Sequence, residues 1–142
     1  MEVVQGRYPE SKPLPETDAI SAPFFEAAAK GKLLYQQCAA CGHRQFYPRG
    51  LCTACGATPE WAEASGRGTV HTFTIVRQYG AEPYKSELPY VVAMIELEEG
   101  VRMMGNVTDV DPEAVKIGMP VSAYALLAED KIAIPYWKPD ES

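Results

Sequence analysis

The amino-acid sequence predicts a mainly β chain: a short N-terminal helix and a four-cysteine ribbon, followed by a five-stranded barrel. Three observations carry this. The four cysteines form two pairs, Cys38-x2-Cys41 and Cys52-x2-Cys55, separated by ten residues. From Gly66 onward, short runs rich in β-branched and aromatic residues alternate with turn residues. Between the third and fourth runs lies Asp111-Pro112-Glu113-Ala114, the pattern of a helix start, with Gly118 at its end.

Residues 1–20 contain Pro9, Pro13 and Pro15 without apolar periodicity. They predict an extended arm, either disordered or laid along a partner. A helix plus ribbon is expected over 21–62. Ser21 or Ala22 sits near the helix cap, Pro23 in the first turn and Gly31 at the stop, with Phe24, Phe25 and Ala28 on the apolar side. Residues 33–37 then read as a strand entering the first knuckle, and Phe46 and Tyr47 fill the segment between knuckles.

Two CxxC pairs on short loops bring four thiolates to the corners of a tetrahedron, the geometry that Zn²⁺ prefers. Gly42 and Gly56 each follow the second cysteine of a pair, where a metal knuckle turns back on itself. Disulfides belong to oxidising compartments, and a thioredoxin-like site uses one CxxC at a helix start. Cys38, Cys41, Cys52 and Cys55 are therefore expected to hold one structural zinc ion. With four protein ligands, no position remains for a reactive water and no thiol is left as a nucleophile. His43 lies inside the ribbon and reads as a surface residue of the first knuckle, with ligand replacement as the alternative.

The barrel is expected over 63–137. Its strands fall at 69–78, 88–98, 101–108, 119–127 and 131–136, with Gly105 as a bulge or bend and 79–87 as a polar loop. Five strands with a short helix between the third and fourth fit an OB-fold. Residues 138–142 form a short tail.

Several function classes are excluded or disfavoured. At 142 residues and 46% hydrophobic, the chain has the length of one ordinary domain and enough apolar material for a core. The longest apolar run is far short of the ~18 residues of a membrane span. Met1 is followed by acidic and Pro-rich sequence, without the basic and apolar regions of a secretory signal, so a cytoplasmic protein is expected. The formal net charge is −6, and it is unevenly spread. Residues 30–56 hold Lys30, Lys32, Arg44 and Arg49 and no acid, whereas 57–142 has a net of −7. The basic island has two explanations. It offsets the −2 of a zinc tetrathiolate, or it faces an acidic partner or the phosphates of a nucleotide-like ligand. The acidic barrel argues against single-stranded nucleic acid, the common cargo of OB-folds, which needs a basic groove. Tyr79, Tyr84, Tyr90, Tyr124, Tyr136 and Trp137 then read as core or as protein-interface anchors.

No GxSxG, Walker loop or GxGxxG is present. His71 reads as a strand histidine, and Glu96, Glu98 and Glu99 as a solvated hairpin end. With no catalytic constellation, the chain is expected not to be an enzyme by itself.

A helix, then KGKLLYQQC-x2-CG-x3-FYPR-x2-C-x2-CG, then GRGTVHTFTIV, LPYVVAMIELEEGVRMMGNV and VKIGMPV, resembles the rubredoxin-like zinc-ribbon plus OB-fold proteins of acyl-CoA metabolism. The likeness runs from about Ala22 to Tyr136. Pro48 and Arg49 match the family's Pro-Arg before the third cysteine, and Tyr47 stands where a second proline is frequent. The resemblance implies an accessory subunit, in a hetero-oligomer with a thiolase-like chain. The reaction is acyl-CoA thiolysis, Claisen-type acyl transfer or retro-aldol cleavage. This chain would shape the acyl-CoA site and stabilise its partner, with acyl-CoA as a possible shared ligand. Lys30, Lys32, Arg44 and Arg49 are then the candidates to meet a partner or a CoA phosphate. A stand-alone acyl-CoA-binding protein is the alternative. The family pattern says nothing of residues 1–16.

Overall fold

The computed structural model describes residues 1–129 and 131–140. The chain runs β1 (Glu2–Val4), α1 (Ala22–Ala29), β2 (Leu34–Gln37), β3 (Arg44–Gln45), β4 (Glu60–Glu63), β5 (Arg67–Val76), α2 (Tyr84–Glu87), β6 (Tyr90–Leu97), β7 (Arg102–Val107), a 3₁₀ turn (Pro112–Ala114), β8 (Pro120–Glu129) and β9 (Ile132–Pro139).

β6 shows why the barrel forms. Val91, Ala93, Ile95 and Leu97 alternate with half-buried residues, the period of a strand with one face in a core. β5 pairs antiparallel with β6, β6 with β7, and β8 with both β5 and β9. Parallel contact of β7 with β9, at Val107 and Trp137, closes the ring of five strands. The 3₁₀ turn is capped as its sequence predicts: Asp111 Oδ1 accepts from the Glu113 N–H at 3.0 Å. Val115, behind it, is buried.

Four expectations are corrected. Residues 2–4 are not a free arm: β1 lies parallel to β8 in the register Glu2–Tyr124, Val3–Ala125 and Val4–Leu126. The Met1 ammonium also donates to the Gly31 carbonyl at 2.9 Å. The polar loop contains a helical turn, α2. β9 continues through Lys138 and Pro139, so those residues belong to the barrel, while 141 and 142 lie outside the described residues.

The fourth correction concerns Gly105. It pairs with Ala93 in unbroken register, and the ladder shift falls instead in β5, between Val70 and Thr72. His71, at that irregularity, is exposed. Gly105 is small because Trp137 needs the space. A Cβ there would stand 2.7 Å from Trp137 Cδ1 and 2.8 Å from Nε1.

α1 places the ribbon on the barrel. Its apolar face, Phe24, Phe25 and Ala28, is buried. Phe24 packs edge-on to Phe25 and lies 5.0 Å, centroid to centroid, from Phe46 of the ribbon. Ser21 is the N-cap residue, but its side chain caps nothing among the described residues. The entry is fixed one turn earlier, where Asp18 Oδ1 accepts from the Ile20 and Ser21 N–H groups. In the ribbon, β2 lies between β3 and β4, both antiparallel to it. No helix among the described residues is long and apolar enough to cross a membrane.

Candidate metal centre and the grooves beside it

The two knuckles are built alike. The Gly42 N–H returns to the Cys38 carbonyl at 2.8 Å, and the Gly56 N–H to the Cys52 carbonyl at 2.9 Å. Both glycines have positive φ, +78° and +81°, with nothing near where a Cβ would sit. The turn itself therefore demands glycine, not crowding. The Ala54 N–H points at Cys52 Sγ, 3.4 Å away.

These turns bring the four cysteine sulfurs within 4.8 Å of one another. Cys38 and Cys55 sulfurs are 3.5 Å apart, and those of Cys41 and Cys52 are 3.7 Å apart. A tetrahedron with Zn–S bonds of ~2.3 Å has edges of ~3.8 Å. The donor set and its spacing fit a zinc tetrathiolate. Cys38 and Cys52 are buried, Cys41 and Cys55 exposed. His43 stands outside the sulfur cluster; its Nε2 lies 3.1 Å from Thr53 Oγ1, tying the first knuckle to the second.

Two buried glutamines brace the second knuckle, and sequence patterning gives no hint of them. Gln36 Nε2 donates to the Arg49 carbonyl at 3.0 Å, and its Oε1 accepts from the Arg49 N–H at 2.8 Å. Gln45 Nε2 donates to Gln36 Oε1 and to the Leu51 carbonyl, while its Oε1 accepts from the Thr53 N–H. Each amide replaces water for a stretch of loop backbone. Gln36→Leu would strand both Arg49 backbone groups, and is expected to cost about 1–3 kcal/mol. Chemical denaturation of the zinc-loaded protein measures it.

Two grooves lie between the ribbon and the barrel. One, of about 470 Å³, is lined by His43, Arg44 and Arg49 of the ribbon and by Met94, Glu96 and Arg102 of the β6–β7 hairpin. The other, of about 740 Å³, is mainly apolar and runs from Phe24, Phe25 and Met104 to Val110 and Tyr136. Phe46 and Tyr47 line both. The larger volume lies in the range of small-molecule sites.

The four basic candidates separate. Arg44 and Arg49 face the smaller groove. Lys30 caps α1, and Lys32 follows it; both are exposed, and neither lines a groove described above. Arg44 also docks the ribbon, its Nη1 donating to the Glu99 carbonyl at 2.7 Å. The hairpin end is thus more than a solvated turn, since Glu99 Oε2 accepts from the Ser65 N–H as well. Glu96 pairs with Arg102 and Glu98 with Arg67.

Residues 25–61 match the model of the ChsH2 rubredoxin-like zinc ribbon domain, and residues 61–125 that of the ChsH2 C-terminal OB-fold domain. The solved structure described as "Ltp2-ChsH2(DUF35) aldolase" superposes with a TM-score of 0.79 at 34% identity, covering 89% of this chain and 98% of that one. The chain belongs to the ChsH2/DUF35 family. Among curated members, a probable enoyl-CoA hydratase alpha subunit of Thermomonospora curvata is 37% identical over 130 residues, 90% of this chain and 40% of that protein. A DUF35 domain-containing scaffold protein of Methanocaldococcus jannaschii is 40% identical over 93 residues, 64% of this chain and 65% of that protein. The chain therefore spans less than two thirds of either curated relative. Fold, ribbon and barrel are those of the ChsH2/DUF35 family; Lys12 and the rest of the arm lie outside the residues that its two models match.

Proposed function

We propose that this chain is a non-catalytic, zinc-binding accessory subunit of an acyl-CoA enzyme, with a thiolase-like chain as its catalytic partner. The observation that carries the reading is the superposition on the whole of a ChsH2(DUF35) chain whose structure is described as an aldolase. That description favours retro-aldol cleavage over thiolysis or acyl transfer. The scaffold relative supports a role without chemistry of its own. So does a metal centre with four sulfur ligands, which has no open position.

The four cysteines hold the ion, and the ion shapes the ribbon that presents the partner-facing surface. Exposed apolar side chains mark that surface. Tyr47 and Leu51 are 50% and 54% exposed, and Ile20, 42% exposed, abuts Gly50. The Arg44–Arg49 groove suits CoA phosphates, and the apolar groove beside it suits an acyl body.

Co-expression with a thiolase-like protein of the same organism tests the reading. A single heteromeric peak on size exclusion, carrying zinc, is expected. Separate elution of two independent proteins would end it. The grooves also favour a second reading, an acyl-CoA-binding protein that acts alone; it predicts tight calorimetric binding of CoA esters with no partner present.

A further inference from the structure

Lys12 joins two loops that bury little of their own surface. The connection between β1 and α1, residues 5–20, contains no helix or strand, and none of its residues is buried. Of residues 77–89, the connection between β5 and β6, only Pro83 is buried; the helical turn within it, α2, has no buried residue. Long connections of this kind commonly serve as lids or binding loops. Segments with little apolar burial also open at small cost in free energy.

The joint between the two loops is polar. The Lys12 ammonium donates to both Glu87 carboxylate oxygens on α2, at 3.1 and 3.2 Å, and to the Tyr136 hydroxyl on β9 at 3.1 Å. These bonds use its donors, so Lys12 acts as a fastener and not as a ligand-binding group. The rings of Tyr8, Tyr84 and Tyr136 lie 5.5 to 5.6 Å from the nitrogen, and the side chain is 11% exposed. Burial pushes Lys12 down, but the hydrogen bonds and charges of Tyr136 and Glu87 outweigh it and hold the ammonium above the usual lysine range. Tyr8 packs on the cluster of Tyr124, Leu126 and Tyr136, and Ile20 abuts Gly50. Between those two residues, Lys12 makes the loop's hydrogen bonds to the barrel among the described residues.

The joint stands at one end of the apolar groove. On β7, Arg102 borders the basic groove and Val107 the apolar one. Val107 meets Trp137 on β9, next to Tyr136. Lys12, Tyr84, Glu87 and Tyr136 therefore wall the end farther from the basic groove. Lys12 is also the one residue of 1–20 in that wall. An apolar side chain in its place would lose favourable burial on leaving. Lys12 and Glu87 instead regain solvation, which keeps the closed and open positions close in free energy.

We propose that residues 5–20 form a strap and that the Lys12–Glu87 pair is its latch. Latched, the strap closes the far end of the apolar groove. When the pair parts, the loop swings out about its fixed ends, β1 and α1, and opens that end to apolar molecules. The strap does not depend on which apolar molecule enters, so it stands apart from the acyl-CoA reading.

Two measurements on the zinc-loaded full chain test it, each comparing the wild type with Lys12→Ala and Glu87→Ala. The first is limited digestion by a protease that cuts after glutamate, read by mass spectrometry at Glu10 and Glu16, which flank the latch. Cutting there tracks the open population and is expected to be about ten-fold faster in both variants, the effect of losing one charged hydrogen-bonded pair. The second is stopped-flow binding of the neutral apolar dye N-phenyl-1-naphthylamine. In the wild type the observed rate should level off with dye concentration, because opening limits entry; in both variants it should rise in proportion to dye. Equal cutting in all three proteins overturns the latch. Faster cutting with unchanged dye kinetics, or no dye binding by any of the three, overturns the strap as a gate.

Discussion

Cys38→Ser is expected to empty the metal site and unfold the ribbon while the barrel stays folded. The physical reason is size. Between β2 and β4 the ribbon has three short strands of its own, two of them four residues and one of two. Units this small rarely bury enough surface to fold without a metal. Structural zinc in such modules supplies an apparent ~10–16 kcal/mol, drawn from thiolates that exist as a site only in the folded state. Cys38 is buried at the head of the first knuckle, and its carbonyl receives the Gly42 N–H. A serine oxygen there is a poorer zinc ligand than a thiolate. Zinc per chain should fall from one to nearly none. Amide exchange should reach unfolded rates across the ribbon while β5 to β9 remain protected. Full zinc content with unchanged melting in this variant would refute the assignment of these ligands.

Trp137→Ala should unfold or nearly unfold the barrel. Trp137 is fully buried and sits where β7 and β9 close the ring, its backbone carbonyl accepting from the Thr108 N–H at 2.7 Å. Removing an indole from a packed core costs about 3–5 kcal/mol, a large part of the 5–15 kcal/mol that holds a typical domain. The converse substitution, Gly105→Ala, puts a methyl into the same space. It should cost about 1–3 kcal/mol, since the indole is fully buried in the packed core and has no open space to retreat into. Urea denaturation of both variants measures the pair. Near-wild-type stability for both would mean that the ring is not closed through this contact.

The metal centre was legible in the sequence because its chemistry is local. Two CxxC pairs followed by glycine specify both the ligands and the turns. The barrel strands were legible because a strand with one buried face writes its period into the chain, as 91, 93, 95 and 97 do. What stayed hidden depends on distant partners. Glu2-Val3-Val4 is too short to read as a strand, and its pairing with β8 joins opposite ends of the chain. Gly105 resembled a bulge because a missing side chain has the same signature whether the backbone bends or an indole fills the gap. Gln36 and Gln45 are polar residues of short strands, and only the fold shows that loop backbone surrounds them. Lys12 sat in a segment without periodicity, and its partners Glu87 and Tyr136 are 75 and 124 residues away. Charge counting grouped Lys30, Lys32, Arg44 and Arg49 by sequence, whereas the fold gathers the two arginines at the groove beside the β6–β7 hairpin.

Turnover of an acyl-CoA substrate by the proposed thiolase-like partner alone, by the partner with this chain, and by this chain alone tests the central claim most directly. The account predicts cleavage only when both chains are present, and none from this chain alone. A partner fully active by itself, or catalysis by this chain without it, would contradict the account.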